Sequence, residues 1–528
     1  MTFHRHKPLY APRGAVATSQ PLAASAGLDV LRRGGNAVDA AVATAIALTV
    51  VQPGSNDIGG DLFAIVWDGT RLHGLNASGR SPAALTPDRV PGGMPERGWL
   101  PVTVPGAPAG WRDLHARFGA LPFADLFTDA IAYAERGFPV SPEIARAWDR
   151  SVAQYARLAG EEYAEWGRIF TVGGASHSPR RAPRAGERWA NPGAARTLRL
   201  IAETCAGAFY TGEVASALAE HAARTGGLVT AADLAAHSSS WVDPIPVSYR
   251  GHEVWELPPN GQGVAALVAL GILDGVDLAA LPPAERLHWQ IEAMKLGFAD
   301  AFEYVADPDR VVVPPPALLA PEYLAARRRE IGERAALPEP GEPARGGTVY
   351  LCTADADGLM VSLIQSNYMG FGSFVAVPGY GFGLQNRGLG FRPEPDHPNG
   401  VGPCRRPFHT IIPGFLTRGG APVGPFGVMG GHMQPQGHLQ VITSTVDGLD
   451  PQAALGAPRW YWQSGRAVLV EDGLADAATL SELERRGHEI TVGREPSTFG
   501  YGQAIWRLPG GGYVAGSEPR ADGCAAGY

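Results

Sequence analysis

Apolar positions recur along this chain at two periods, one near 3.6 and one of 2, and the changes between them mark its elements. From Pro21 to Arg33 the spacing is helical, Gly34 and Gly35 supply a stop, and Asn36 is placed to cap a second helix running toward Val51. The stretch from Ala37 to Val51 is the most apolar in the chain, yet it holds Asp39, Thr44 and Thr49 and is too short to cross a bilayer, so it predicts a buried helix. QPGSNDIGGD (residues 52–61) reads as a glycine turn, followed by the strand-like LFAIVWDG (62–69) with a hairpin signal at Asp68-Gly69. PERGWLPVTVPGAPAGW (95–111) reads as loop around a short apolar run. Leu287, Ile291, Met294, Phe298, Ala301, Phe302 and Val305 mark one long amphipathic helix that stops before Asp307-Pro308. Two alternating runs, Thr348 to Ala354 and Leu359 to Gln365, joined by Asp355-Ala356-Asp357-Gly358, predict a hairpin whose turn needs glycine at positive φ.

Between the long helix and this hairpin the pattern breaks. PEPGEPARGG cannot build regular structure, because Pro338, Pro340 and Pro343 remove donors and fix φ, so residues from about 337 to 347 form a linker. SPRRAPRAGER (178–188) reads as a solvated basic turn. With 528 residues, 45% hydrophobic and 18% charged, the chain is globular and long enough for a large layered unit. A net charge of −8 argues against binding nucleic acid through its phosphates and favours a small-molecule substrate. The start, MTFHRHKPLYAPRG, has no apolar leader, and four scattered cysteines suggest no disulfide framework; together they predict a cytoplasmic location and no membrane partner.

The linker ends on Thr348, at the first residue of an apolar strand. A threonine hydroxyl is a weak nucleophile until a base takes its proton, and the residue's own α-amine, titrating near ~7.7–8.0, can be that base. A mid-chain amide cannot. Thr348 therefore becomes catalytic only if the Gly347–Thr348 bond is cut, and a mobile linker would let the new end swing away. Downstream, FGVMGGHMQPQGH (426–438) places Gly430-Gly431 between an apolar run and a helix beginning near Pro435, a turn able to present backbone N–H groups to an oxyanion. No G-x-S-x-G elbow is present, and His432 and His438 lie six apart, off one helical face, so neither a serine triad nor a metal site is expected. Asn76-Ala77-Ser78 formally fits a glycan acceptor but reads as chance without a secretion signal.

These motifs, GGNAVDAAVATAIALTVVQPGSNDIGGD, AMKLGFAD, GGTVYLCTADADGLMVSLIQSNYMGFGS, QNRGLGF, RRPFHTIIP, VMGGHMQPQ and EPRADGCAAGY, taken in order, resemble the γ-glutamyltransferase family of N-terminal nucleophile hydrolases. The resemblance implies an α+β, four-layer αββα sandwich and a proenzyme that cleaves itself before Thr348. Residues 1–347 would form a large subunit and 348–528 a small one, together a single unit with the possibility of further dimers. It implies Thr348 as nucleophile, Gly430 and Gly431 as oxyanion donors, Ser366 as an orienting hydroxyl, and no cofactor.

In the pocket the sequence departs from the family. Tyr368 and Gly390 stand where glutathione-hydrolysing members hold the substrate's α-amino group, Arg387 replaces an acidic or amide residue, His409 and Thr410 replace paired serines, and Arg80 is the nearest counterpart of the carboxylate-binding arginine. Two cations without an amine-binding acid suit an acyl group ending in a carboxylate, as in the cephalosporin acylase branch. A short segment between Phe391 and Arg406 suits hydrolysis over transfer. The expected activity is thus on γ-glutamyl or glutaryl-like amides, with a cephalosporin-acylase-like hydrolase of dicarboxylic monoamides having little glutathione activity, or an unprocessed, inactive binding scaffold, as the alternatives.

Overall fold

The computed structural model describes residues 7–174, 180–337 and 347–528. Most of the proline-rich linker, 338–346, and the start of the basic turn at Ser178 lie outside them. Two seven-stranded antiparallel sheets face each other. One runs, in spatial order, Leu9–Ala11, Tyr513–Ser517, Tyr501–Arg507, Ala421–Met429, Gly414–Arg418, His252–Glu256 and Ile245–Tyr249. The other runs Cys524–Gly527, Ala15–Thr18, Gly347–Ala354, Met360–Tyr368, Asp61–Trp67, Leu72–Asn76 and Ser240–Val242. Helices Pro21–Arg32 and Ala37–Val51 cover the second sheet, and helices Gly263–Leu273, Pro283–Tyr304 and Met433–Val446 cover the first. The result is the expected four-layer αββα arrangement. A small third sheet, Trp460–Ser464, Ala467–Glu471 and Glu489–Gly493, packs at one side.

Both sheets mix strands from the two sides of position 347, so the segments before and after it share one core rather than forming separate domains. The helix Ala37–Val51 is buried at all 15 positions. Its polar residues are satisfied locally. Asp39 completes a capping box with Asn36 and also accepts the Ala120 and Leu121 amides, while Thr44 and Thr49 donate to the carbonyls of Ala40 and Ile46, each at 2.7 Å.

The predicted hairpin forms in register, with Leu351 opposite Leu363 and Asp355 Oδ1 accepting the amides of Asp357 and Leu359, while Gly358 takes φ +89°. Two local readings change. A helix, Ala107–Phe118, begins inside the segment read as loop, because Pro108 sits in the first turn, where its missing N–H leaves no bond unmade. The helix after the glycine pair starts at Met433, two residues before Pro435, for the same reason. Asn76 is buried and donates to Asn260 Oδ1 at 2.8 Å, so it is a core residue. Among the described residues no helix is long and apolar enough to cross a membrane.

Candidate active site

Thr348 is buried in the second position of the strand Gly347–Ala354, where pairing with Met360–Tyr368 loses register. Gly347 lies opposite Tyr368 but Val349 lies opposite Gln365, so the partner strand carries one extra residue across from Thr348. Such an irregularity re-aims side chains. It brings Thr348 Oγ1 to 3.1 Å from Ser366 Oγ, and Tyr368 adopts φ +74° just beyond.

Behind this pair stands a buried cation. Arg387 Nη2 donates to Ser366 Oγ at 3.0 Å and Nη1 to Thr410 Oγ1 at 2.8 Å, and the guanidinium lies 4.4 Å from the centre of the Tyr368 ring. The Tyr368 amide donates to Ser366 Oγ at 2.8 Å. Burial pulls the arginine down to about 10, against the stabilising charge of Asp61. Asp61 is fully buried and accepts the Gly79 and Gly106 amides and His409 Nε2, at 3.1, 3.2 and 3.1 Å. Its carboxyl is pushed up to about 7 by burial, with Arg387 the largest opposing influence. His409 is held neutral by burial and by the charges of Arg387 and Arg406.

The glycine pair sits at the end of the strand Ala421–Met429, with Gly430 at φ +137° and Gly431 at φ +60°, conformations that favour residues without a Cβ. Gln262 fixes this turn against the neighbouring segment, donating from Nε2 to the Thr410 and Gly431 carbonyls at 2.6 and 3.0 Å. Thr348 and Gly430 both line a cleft of about 550 Å³.

Of the five residues expected to hold substrate, none lines that cleft. Arg387, Tyr368, His409 and Thr410 are buried beneath Thr348, in the network just described. Arg80 needs correction. It pairs with Asp307 at 2.6 Å and Asp309 at 3.2 Å and borders a separate small depression, so its charge is spent away from the threonine. Two arginines that do line the cleft, Arg97 and Arg150, were missed. Arg97, from the segment read as loop, donates to the carbonyls of Gly370 and Gly372 and to Gln154 Oε1 at 2.8 Å, and packs 4.6 Å from the Phe374 ring centre. Among the described residues no carboxylate forms an ion pair with it, and burial lowers its pKa. Arg150, Glu143, Glu495 and Asp522 also line the cleft. An isolated arginine in an irregular segment carries no periodic signal, so only the folded chain reveals where it points.

One group among the described residues has a donor set suited to a metal: His288, Glu292 and His488, with ligand atoms within 4.8 Å of one another. Most of its donor atoms are already engaged, His488 Nδ1 being the exception. Lys295 Nζ lies 2.7 Å from Glu292 Oε1, and His288 Nδ1 lies 2.8 Å from His488 Nε2. An ammonium thus holds the place of the cation.

A sequence model of the gamma-glutamyltranspeptidase family matches residues 23–528. A glutathione hydrolase-like proenzyme, YwrD, of Bacillus subtilis is 35% identical over 536 residues, covering 99% of this chain and all of that one. An oxamate amidohydrolase proenzyme of Klebsiella pneumoniae is 34% identical over 541 residues, with 99% and 100% covered. The crystal structure of a cephalosporin acylase from Bacillus halodurans superposes with a TM-score of 0.95 at 50% identity, covering 99% of this chain and 97% of the other. The chain belongs to the gamma-glutamyltranspeptidase family and is a hydrolase of the N-terminal nucleophile type.

Proposed function

We propose that this chain is a precursor that cuts its own Gly347–Thr348 bond and then hydrolyses amides whose acyl group ends in a carboxylate, the monoamides of short dicarboxylic acids. One observation carries the choice of substrate: Arg97 places a cation that forms no ion pair among the described residues in the cleft that Thr348 lines. A half-buried charge that forms no ion pair and is offset only through space, chiefly by Glu96, is stabilised further by an anion that arrives with the substrate. Kinship agrees, since oxamate is itself the monoamide of a dicarboxylic acid and a cephalosporin acylase has the same fold throughout.

In the proposed reaction Thr348 Oγ attacks the amide carbonyl while the freed α-amine takes the hydroxyl proton. The N–H groups of Gly430 and Gly431 donate to the oxyanion. The resulting ammonium protonates the departing amine, leaving an ester on Thr348. Water then attacks that ester, giving its proton to the same amine, which passes it to Thr348 Oγ as the ester bond breaks and the dicarboxylic acid leaves. Fragments 1–347 and 348–528 stay together throughout. The chemical steps use only groups of this chain and water.

A second reading, hydrolysis of γ-glutamyl amides including glutathione, is favoured by the carboxylates Glu143, Glu495 and Asp522 in the same cleft, which suit an α-ammonium. All three are already engaged: Asp522 accepts the Glu143 amide at 3.1 Å, Glu495 lies 3.2 Å from Arg146, and Glu143 forms an ion pair with the same arginine. Comparing kcat/KM for glutaryl and γ-glutamyl anilides separates the readings, with the glutaryl compound expected to be the better substrate. N-terminal sequencing of the smaller fragment, expected to begin at Thr348, tests the precursor step.

A further inference from the structure

We propose that Arg387 is a positioning residue that holds Ser366 against Thr348 and, through its charge, keeps the freed α-amine of Thr348 unprotonated at neutral pH. This rests on the reading of Thr348 as the nucleophile and adds a role for the arginine that the substrate never touches.

The geometry is a short relay. Arg387 donates to Ser366, whose hydroxyl lies 3.1 Å from that of Thr348, so the guanidinium sits two hydrogen bonds from the proposed nucleophile. It is fully buried, and its second hydrogen bond, to Thr410, and its contact with the Tyr368 ring fix it in place. A fixed cation in a site shielded from water penalises any second positive charge nearby. The protonated amine of Thr348 would be such a charge.

The other charged and titratable groups around the site leave this effect standing. Asp61, directly across from Ser366 on the neighbouring strand, partly offsets Arg387, but its oxygens are taken up by the Gly79 and Gly106 amides and by His409. His409 and His432 are kept neutral by burial and by Arg387 itself, the second down to about 3. Arg406, whose charge also acts on Asp61, adds to the positive field. In the cleft, Arg97 and Arg150 act in the same sense, while Glu143, Glu495 and Asp522 oppose them. The consequence for chemistry is twofold. More of the enzyme holds a free amine ready to accept the threonine proton, and the ammonium formed is a stronger acid toward the departing nitrogen.

The test compares wild type with Arg387→Met and Arg387→Lys after each is shown by gel and N-terminal sequencing to be cut at Thr348. The acid limb of the kcat/KM profile should move up by about 1 pH unit in the methionine variant, roughly a tenfold loss at pH 6, and stay in place in the lysine variant. An unmoved limb with Met, or a rise in KM alone, would overturn the proposal, the latter pointing to substrate binding. Should the methionine variant remain uncut, NMR titration of wild type labelled with ¹⁵N-threonine decides: an amine titrating below about 7 supports the proposal, and one at the ordinary ~7.7 or above sinks it. A wild-type small fragment beginning elsewhere than Thr348 refutes the nucleophile reading instead, so the two failures are told apart.

Discussion

The hydroxyls of Thr348 and Ser366 lie 3.1 Å apart across the one place where their two strands fall out of register. That contact puts a hydroxyl partner against a strand-opening threonine. Thr348→Ala should leave a single full-length band on a denaturing gel and no detectable amidase activity, whereas wild type should show two bands. Two bands from the alanine variant would end the assignment. Thr348→Ser keeps a hydroxyl and should still be cut, more slowly.

Arg97 supplies the second prediction. Arg97→Met should lower kcat/KM for glutaryl anilide by about tenfold to a hundredfold, the loss of a charge-assisted hydrogen bond to a carboxylate. A neutral acyl anilide should lose far less. Equal losses on both substrates would show that the arginine merely supports the Gly370–Gly372 backbone.

Buried acids set a pH dependence of stability. Burial raises Asp57 to about 8 and Asp61 to about 7, so between pH 4 and 8 the folded chain holds protons on these groups that the unfolded chain has released. Their contribution is therefore complete below about pH 4 and is lost as pH rises through 7 to 8. Urea midpoints across pH 5–9 should fall less steeply in Asp57→Asn than in wild type. Parallel curves would mean that Asp57 does not titrate in this range.

The ion pair Lys295–Glu292 is nearly inaccessible to water, and both residues also grip Ala336. Lys295→Met leaves a buried carboxylate unpaired and should cost about 3–5 kcal/mol in chemical denaturation. Adding Glu292→Met should recover much of that loss. A double variant no more stable than the single one would show that the Ala336 contacts, rather than the charge, carry the effect.

Much of this was legible in the sequence wherever local rules govern. Asn36 capping its helix, the hairpin turn at Asp355–Gly358 and the strand opening at Thr348 each follow from side chains acting on their own backbone. The pocket was not legible, because it is built from contacts between distant segments. Arg387 and Arg80 look alike in a sequence, yet one is sealed behind Ser366 and the other is paired with Asp307 at the surface. Arg97 sits in a stretch without periodicity, and nothing local distinguishes it from a solvated arginine.

The interleaving of strands from both sides of position 347 fixes an order of events. Leu9–Ala11 pairs with Tyr513–Ser517, and Ala15–Thr18 lies between Gly347–Ala354 and Cys524–Gly527, so the first residues synthesised must wait for the last before either sheet can close. The proposed scission would therefore act on an assembled chain. Once made, the halves are braided, and parting them would mean dismantling both sheets.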